Sequence, residues 1–138
     1  MSELTLRFIP DHGDDTNRLG IEVQTDAFSG RGWSWTDRAS LVDFASSLKA
    51  YPLPTDKPAI FTMGYNLLKG DDLIGYLEVR PADRLGNLLV RVAVADPHER
   101  WRRVRAEFLT HYPEVERFTA QLTRMLAGGS ETAVLLGD

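Results

Sequence analysis

Residues 27–53, AFSGRGWSWTDRASLVDFASSLKAYPL, read as a strand that turns sharply into an amphipathic helix, which then stops at a proline. The helix has a start, a stripe and an end. Ser40 is a good N-cap, and Asp43 three residues on completes a pair resembling a capping box; Asp37 is the alternative cap. Leu41, Phe44, Ala45, Leu48 and Tyr51 follow the i, i+3, i+4, i+7 spacing and form one apolar stripe. Pro52 and Pro54 forbid continuation, because proline has no N–H to donate and its ring clashes with the preceding turn. One stripe needs one partner, so the helix is expected to lie on a sheet or on a second helix.

The rest of the chain is mostly strand. Leu4, Leu6 and Phe8 alternate with Thr5 and Arg7, which is the pattern of a half-buried strand. DHGDDTNR, residues 11–18, reads as a polar turn, and Leu19, Ile21 and Val23 face inward on the strand after it. The third strand, AFSGRGWSW, puts Gly30 and Gly32 on one side; glycine inside a strand marks a bulge, a bend or close approach of another group. AIFTMGY (59–65), LIGYLEVR (73–80) and LLVRVAVAD (88–96) follow, joined by turns at LLKGDD and PADRLGN. Their short connections predict an antiparallel meander, since parallel neighbours need longer crossovers.

Residues 100–110 fit either a strand or a helix, and Pro97 together with the preceding meander favours the strand. Pro113 suits the first helical position of the last helix, with Glu114 and Glu116 near its positive end and Arg124 near the other. Its stripe is Val115, Phe118, Leu122, Met125 and Leu126, and Gly128 and Gly129 end it. Residues 129–138 make a short edge strand or a flexible tail. The expected order is β-β-β-α-β-β-β-β-α. That is an α+β fold, 1–138 as one globular domain, with a largely antiparallel sheet of about six or seven strands.

A chain of 138 residues can bury a real core, and its 43% apolar and 26% charged content is ordinary for a globular domain. No apolar run approaches membrane-spanning length, and MSELTLRF lacks the pattern of a signal peptide. The absence of cysteine removes disulfides, thiol nucleophiles and thiolate metal sites, and it fits a cytoplasmic location. A net charge of −4 argues against a general nucleic-acid binder.

Catalytic frames are missing. His12, His98 and His111 are in no zinc-binding spacing, so no metal site is expected. Asp11, Asp14 and Asp15 lack a calcium-loop frame. No serine sits in GxSxG, no phosphate-binding glycine loop is present, and no cofactor is expected. Asp71 and Asp72 belong to a tight turn.

The candidate binding residues are aromatic and basic. Trp33 and Trp35 share one side of a strand with Arg31, and Tyr65 and Tyr76 lie on later strands. Either the tryptophans cover a sheet face beneath a helix, or they form a contact surface, since Trp and Arg are enriched at interface hot spots. Trp35, directly before the helix, is expected to be mostly buried, and Trp33 the more exposed contact. Arg100, Arg102, Arg103 and Arg105 surround Trp101; such a cluster binds single-stranded nucleic acid or guards a sheet edge, and the edge reading is preferred.

A strand with Phe28 and Gly30, then Trp33, then Leu41, Phe44 and Leu48, followed by Leu77, Val79, Gly86 and the strand from Leu88 to Val94, resembles small bacterial proteins near the WapI-type immunity proteins. The resemblance covers most of the chain. It implies a single-domain cytoplasmic protein that binds and neutralises a toxin domain without catalysis. The Arg100–Arg105 cluster is not part of it.

Two functions follow as expectations. The first is a non-catalytic protein-binding domain whose partner is a toxin domain, with Arg31, Trp33, Trp35, Tyr76, Trp101, Arg103 and Arg105 as binding residues. The second is a small ligand-binding domain or enzyme. Its pocket would lie between the sheet and helix 40–51, with Gly30 and Gly32 giving room and Trp33, Trp35 and Tyr76 as walls.

Overall fold

The computed structural model describes residues 1–10, 16–64, 73–99 and 101–138. His12, the acidic residues 11, 14 and 15, Tyr65, the turn at Asp71 and Asp72, and Arg100 lie outside the described residues. The elements are β1 (Ser2–Ile9), β2 (Thr16–Gln24), β3 (Ser29–Asp37), α1 (Arg38–Ser47), β4 (Ala59–Met63), β5 (Gly75–Pro81), β6 (Asn87–Ala95), β7 (Arg103–His111), α2 (Tyr112–Leu126) and β8 (Thr132–Gly137).

The fold is α+β with antiparallel sheets. In place of one sheet of six or seven strands there are two sheets of four, ordered β3-β2-β1-β8 and β4-β5-β6-β7. The meander is the second sheet. The ambiguous segment 100–110 supplies its edge strand β7, whose paired neighbours run from Asn87 opposite His111 to Ala95 opposite Arg103. The last segment is β8, an edge strand antiparallel to β1, with Ala133 and Leu135 fully buried. Its Val134 N–H donates to Gln121 Oε1 of α2 at 2.9 Å, so the helix covers part of that edge.

Alternation decides which side of each strand is inside. Leu4, Leu6 and Phe8 of β1, Leu19, Ile21 and Val23 of β2, and Leu88, Val90, Val92 and Val94 of β6 all point to one shared apolar core. On β3 the inward residues are small: Gly30, Gly32, Ser34 and Thr36. At the two glycines the second sheet comes too close for a side chain. A Cβ on Gly30 would lie 2.6 Å from Val104 Cγ2. One on Gly32 would run into the carbonyl oxygen of Ala95 and lie 2.8 Å from Val94 Cγ2. At the other end of the sheet, Gly137 of β8 meets the Phe108 ring and the Leu109 carbonyl of β7.

These contact points fix how the sheets cross. Three strand steps separate β3 from β8 in the sheet order, roughly 14 Å at the usual spacing. The points they touch on β7, Val104 and Phe108, are separated by a similar distance along that strand, roughly 13 Å. Strands of the first sheet therefore run across strands of the second at near right angles, the orthogonal mode of sheet packing.

The helices close the open side of the core. α1 packs on α2 and β4, and α2 packs on β8. Leu41, Phe44, Ala45 and Leu48 are buried as the stripe requires, and so are Val115, Phe118, Leu122 and Met125. The α1 cap is Asp37 and not Ser40. Asp37 keeps extended backbone as the last residue of β3, and its Oδ1 accepts the Ser40 N–H at 2.6 Å. Hydrogen bonding from Ser40, through its side chain first and its backbone second, holds the Asp37 carboxyl below its usual range. Tyr51 is not part of the stripe: the helix ends at Ser47, and Tyr51 is 80% exposed, edge-on to Tyr112 at 4.7 Å.

The crossing makes a sharp prediction. Gly32→Ala forces two backbones apart and is expected to cost about 1–3 kcal/mol, as overpacking does. Gly20, on the outer side of β2, is the control, because a Cβ there meets nothing closer than Arg7 Cβ at 3.8 Å. Gly20→Ala is expected to be neutral or to stabilise by about 0.5–1 kcal/mol, the usual cost of glycine inside a strand. Urea unfolding measures both; equal losses would contradict the crossing.

Candidate functional site

The inward turn of Gly30, Gly32, Ser34 and Thr36 sends the other side of β3 outward. Arg31, Trp33 and Trp35 therefore lie on the outer face of the first sheet, with no helix over them among the described residues. Trp35 is 52% exposed, so its expected burial is wrong, and Trp33 is the half-buried member of the pair. The physical reason is parity. The helix that follows β3 begins only at Arg38 and packs toward α2 and β4, so it gives Trp35 no cover.

The register builds the site around these rings. Trp33 stands opposite Gly20, and Gly20 stands opposite Arg7 of β1. Trp35 is opposite Arg18, and Arg31 is opposite Glu22. The Arg18 guanidinium lies 3.9 Å from the Trp33 ring centroid, a cation–π contact. Trp35 meets Trp33 edge-on, with centroids 6.0 Å apart and planes at 87°. The indole of Trp33 is thus held from two sides. Because Gly20 has no side chain, the row Trp33–Gly20–Arg7 dips in the middle. The dip is part of a cavity of about 510 Å3 bordered by Arg7, Gly20, Glu22, Arg31, Trp33 and the turn 96–98. Among the described residues, Arg31, Glu22 and the Trp33 indole N–H have no hydrogen-bond or ion-pair partner.

Tyr76, Arg103 and Arg105 are elsewhere, on the outer face of the second sheet, around a cavity of about 390 Å3. Tyr76 donates its hydroxyl to Glu78 Oε1 at 2.5 Å. Glu78 is only 6% exposed although it faces outward. Its Oε2 lies 3.3 Å from an Arg80 nitrogen and 3.9 Å from one of Arg91, and makes no hydrogen bond. Arg91 Nε donates to Glu107 at 3.1 Å. Arg103 and Arg105 both have interactions within the chain. Trp101 belongs to neither face. It is 93% exposed in the turn between β6 and β7.

The pocket expected between sheet and helix is not formed by the residues proposed for it. The space beside Gly30 and Gly32 holds Val104, Val94 and Ala95. Trp33 and Trp35 face away from it, and Tyr76 is on the other sheet. A hollow of about 630 Å3 does lie near the end of α1, but against α2, with Leu48, Tyr51, Tyr112 and Thr119 on its walls.

Sequence reasoning missed Arg18, Gly20, Glu22 and Arg7 around Trp33. Arg18 fell inside the polar run read as a turn, whereas β2 already begins at Thr16. It also missed Glu78, Arg91 and Glu107; charged residues at alternate positions of β5, β6 and β7 were the available signal.

Comparison with protein-family models and with curated proteins finds no match. Among the described residues no helix is long and apolar enough to cross a membrane.

Burial, and next the bond to Glu78, push the Tyr76 hydroxyl up from 10.0 to about 12. The folded state therefore holds this proton more tightly than the unfolded one. Its contribution is fully present below the ordinary value near 10.0 and is lost as pH rises toward about 12. The stability gap between wild type and Tyr76→Phe should shrink across that window. A gap that stays constant in pH-dependent urea titrations would contradict the Tyr76–Glu78 bond.

Proposed function

We propose that this chain is a non-catalytic protein-binding domain that acts in the cytoplasm by direct contact. Its resemblance to WapI-type immunity proteins makes a bacterial toxin domain the partner. One observation carries the reading: Trp33, Trp35 and Arg31 stand on an uncovered sheet face, with both rings held in fixed geometry by Arg18 and by each other. Large aromatic side chains fixed before binding lose little conformational entropy on association, and Trp and Arg are the residue types that dominate interface energies. The face is carried on a rigid sheet and not on a loop. Trp101, exposed in the turn between β6 and β7, is not part of this surface, and Tyr76, Arg103 and Arg105 form a separate face.

Affinity capture of the partner from the native cells tests this, with wild type and two alanine variants. Trp35→Ala should leave thermal unfolding nearly unchanged and weaken capture by roughly tenfold or more, the loss typical of a hot-spot side chain. Trp33→Ala should weaken capture at least as much and lose more stability, because that ring also packs under Arg18. Wild type that captures no protein, or captures only nucleic acid, would overturn the reading.

A further inference from the structure

The dip over Gly20 is a place for one group of a partner, and its chemistry selects that group. Two guanidinium side chains border it, Arg7 and Arg31, and a third, Arg18, lies on the Trp33 ring beside it. The carboxylates nearby are Glu22 and Asp96. Asp96 is already engaged: it accepts the His98 N–H at 2.8 Å and faces Arg102 at 3.8 Å, and these contacts hold its carboxyl below the usual range. Arg18 is committed to the Trp33 ring. Arg7 has only a long, exposed pairing with Glu131 at 3.8 Å. Arg31 has no partner among the described residues, and neither has the Trp33 indole N–H. The dip thus carries unused donors beside an aromatic wall, against one uncommitted carboxylate, Glu22. A further cation there would meet the like charges of Arg7 and Arg31, whereas an anion meets donors.

We propose that the dip over Gly20 receives an acidic side chain, glutamate or aspartate, from the partner protein, with its carboxylate on Arg31 and its methylene stem against Trp33. This rests on the protein-binding reading above and names the group that reading leaves open. Gly20 serves as the floor. It is not required by the fold, since a Cβ there would make only ordinary contacts, so its lack of a side chain is free to serve the dip.

The probe is N-acetyl-glutamate methylamide, titrated into the full chain and followed by NMR at the Trp33 indole and the Gly20 amide. Saturable shifts at both are expected, with none at Tyr76 on the other face. N-acetyl-glutamine methylamide, the neutral isostere, should bind at least about tenfold more weakly, the usual loss when a hydrogen bond to a charged group is removed. Arg31→Gln should weaken the acidic probe by a similar factor. Gly20→Val should fill the dip and abolish the shifts while the protein stays folded. Equal binding of the two probes, or unchanged binding by Arg31→Gln, overturns the proposal. Acetate binding as tightly as the acidic probe would assign the dip to a simple anion and overturn the assignment to a side chain. If the acidic probe moves nothing while partner capture still depends on Trp35, the dip proposal fails and the protein-binding reading stands. If neither is seen, both fail.

Discussion

Where Gly32 meets the carbonyl of Ala95, two backbones come closer than any side chain on that strand would allow. Gly30 is pressed as closely by the Val104 side chain, and Gly137 by the Phe108 ring and the Leu109 carbonyl at the far end. These contacts seat one sheet across the other at near right angles, and the rest of the molecule follows from that seating. The crossing sets the thickness of the core between Ile21 and Val23 on one side and Val92 and Val94 on the other. It leaves one side of the sandwich open, and that side is where Phe44 and Phe118 bring the two helices in.

The same contacts decide the surface. A strand has only two sides. Once the glycine side of β3 is committed to close approach, Arg31, Trp33 and Trp35 must face solvent whatever their own preference for burial. The large apolar area left outside is then organised, not discarded: Arg18 stacks on one indole and Trp35 abuts it. On the opposite sheet the outward side is organised differently, by charges. Tyr76, Glu78, Arg91 and Glu107 form a chain of polar contacts there, with Glu78 Oε2 the one buried acceptor left without a hydrogen bond among the described residues. The two faces therefore differ in what they offer: the first has unused donors beside aromatic rings, the second a mostly self-satisfied network.

Much of the fold was readable from local signals. The α1 and α2 stripes and the strand alternation depend on neighbours a few residues away, and Leu41, Phe44, Val90 and Phe118 are buried where those patterns put them, although α1 ends at Ser47, before the proline expected to stop it. Pairing across long separations was not readable. The last segment could be read only as an edge strand or a tail, because β8 gains its partner, β1, through a contact spanning almost the whole chain. The division into two sheets was hidden for the same reason. Of the candidate site, Arg31, Trp33 and Trp35 were seen to share a side, but which side is inside depends on what lies against Gly30 and Gly32. The small residues Gly30, Gly32, Ser34 and Thr36 on one parity were the clue. Four small residues in register leave room for a backbone, and the tryptophans of the other parity then point out.

The measurement that bears most directly on this account is a nuclear Overhauser spectrum of the folded chain. The account predicts cross-peaks between the Gly32 α protons and the Val94 methyls, and between the Gly30 α protons and the Val104 methyls. It also predicts that the Trp35 indole protons show none to the core methyls of Leu19, Ile21 or Val94. Strong peaks from the Trp35 ring to those methyls, with none from Gly32 to Val94, would mean that β3 is turned the other way, and would contradict both the crossing and the exposed face built on it.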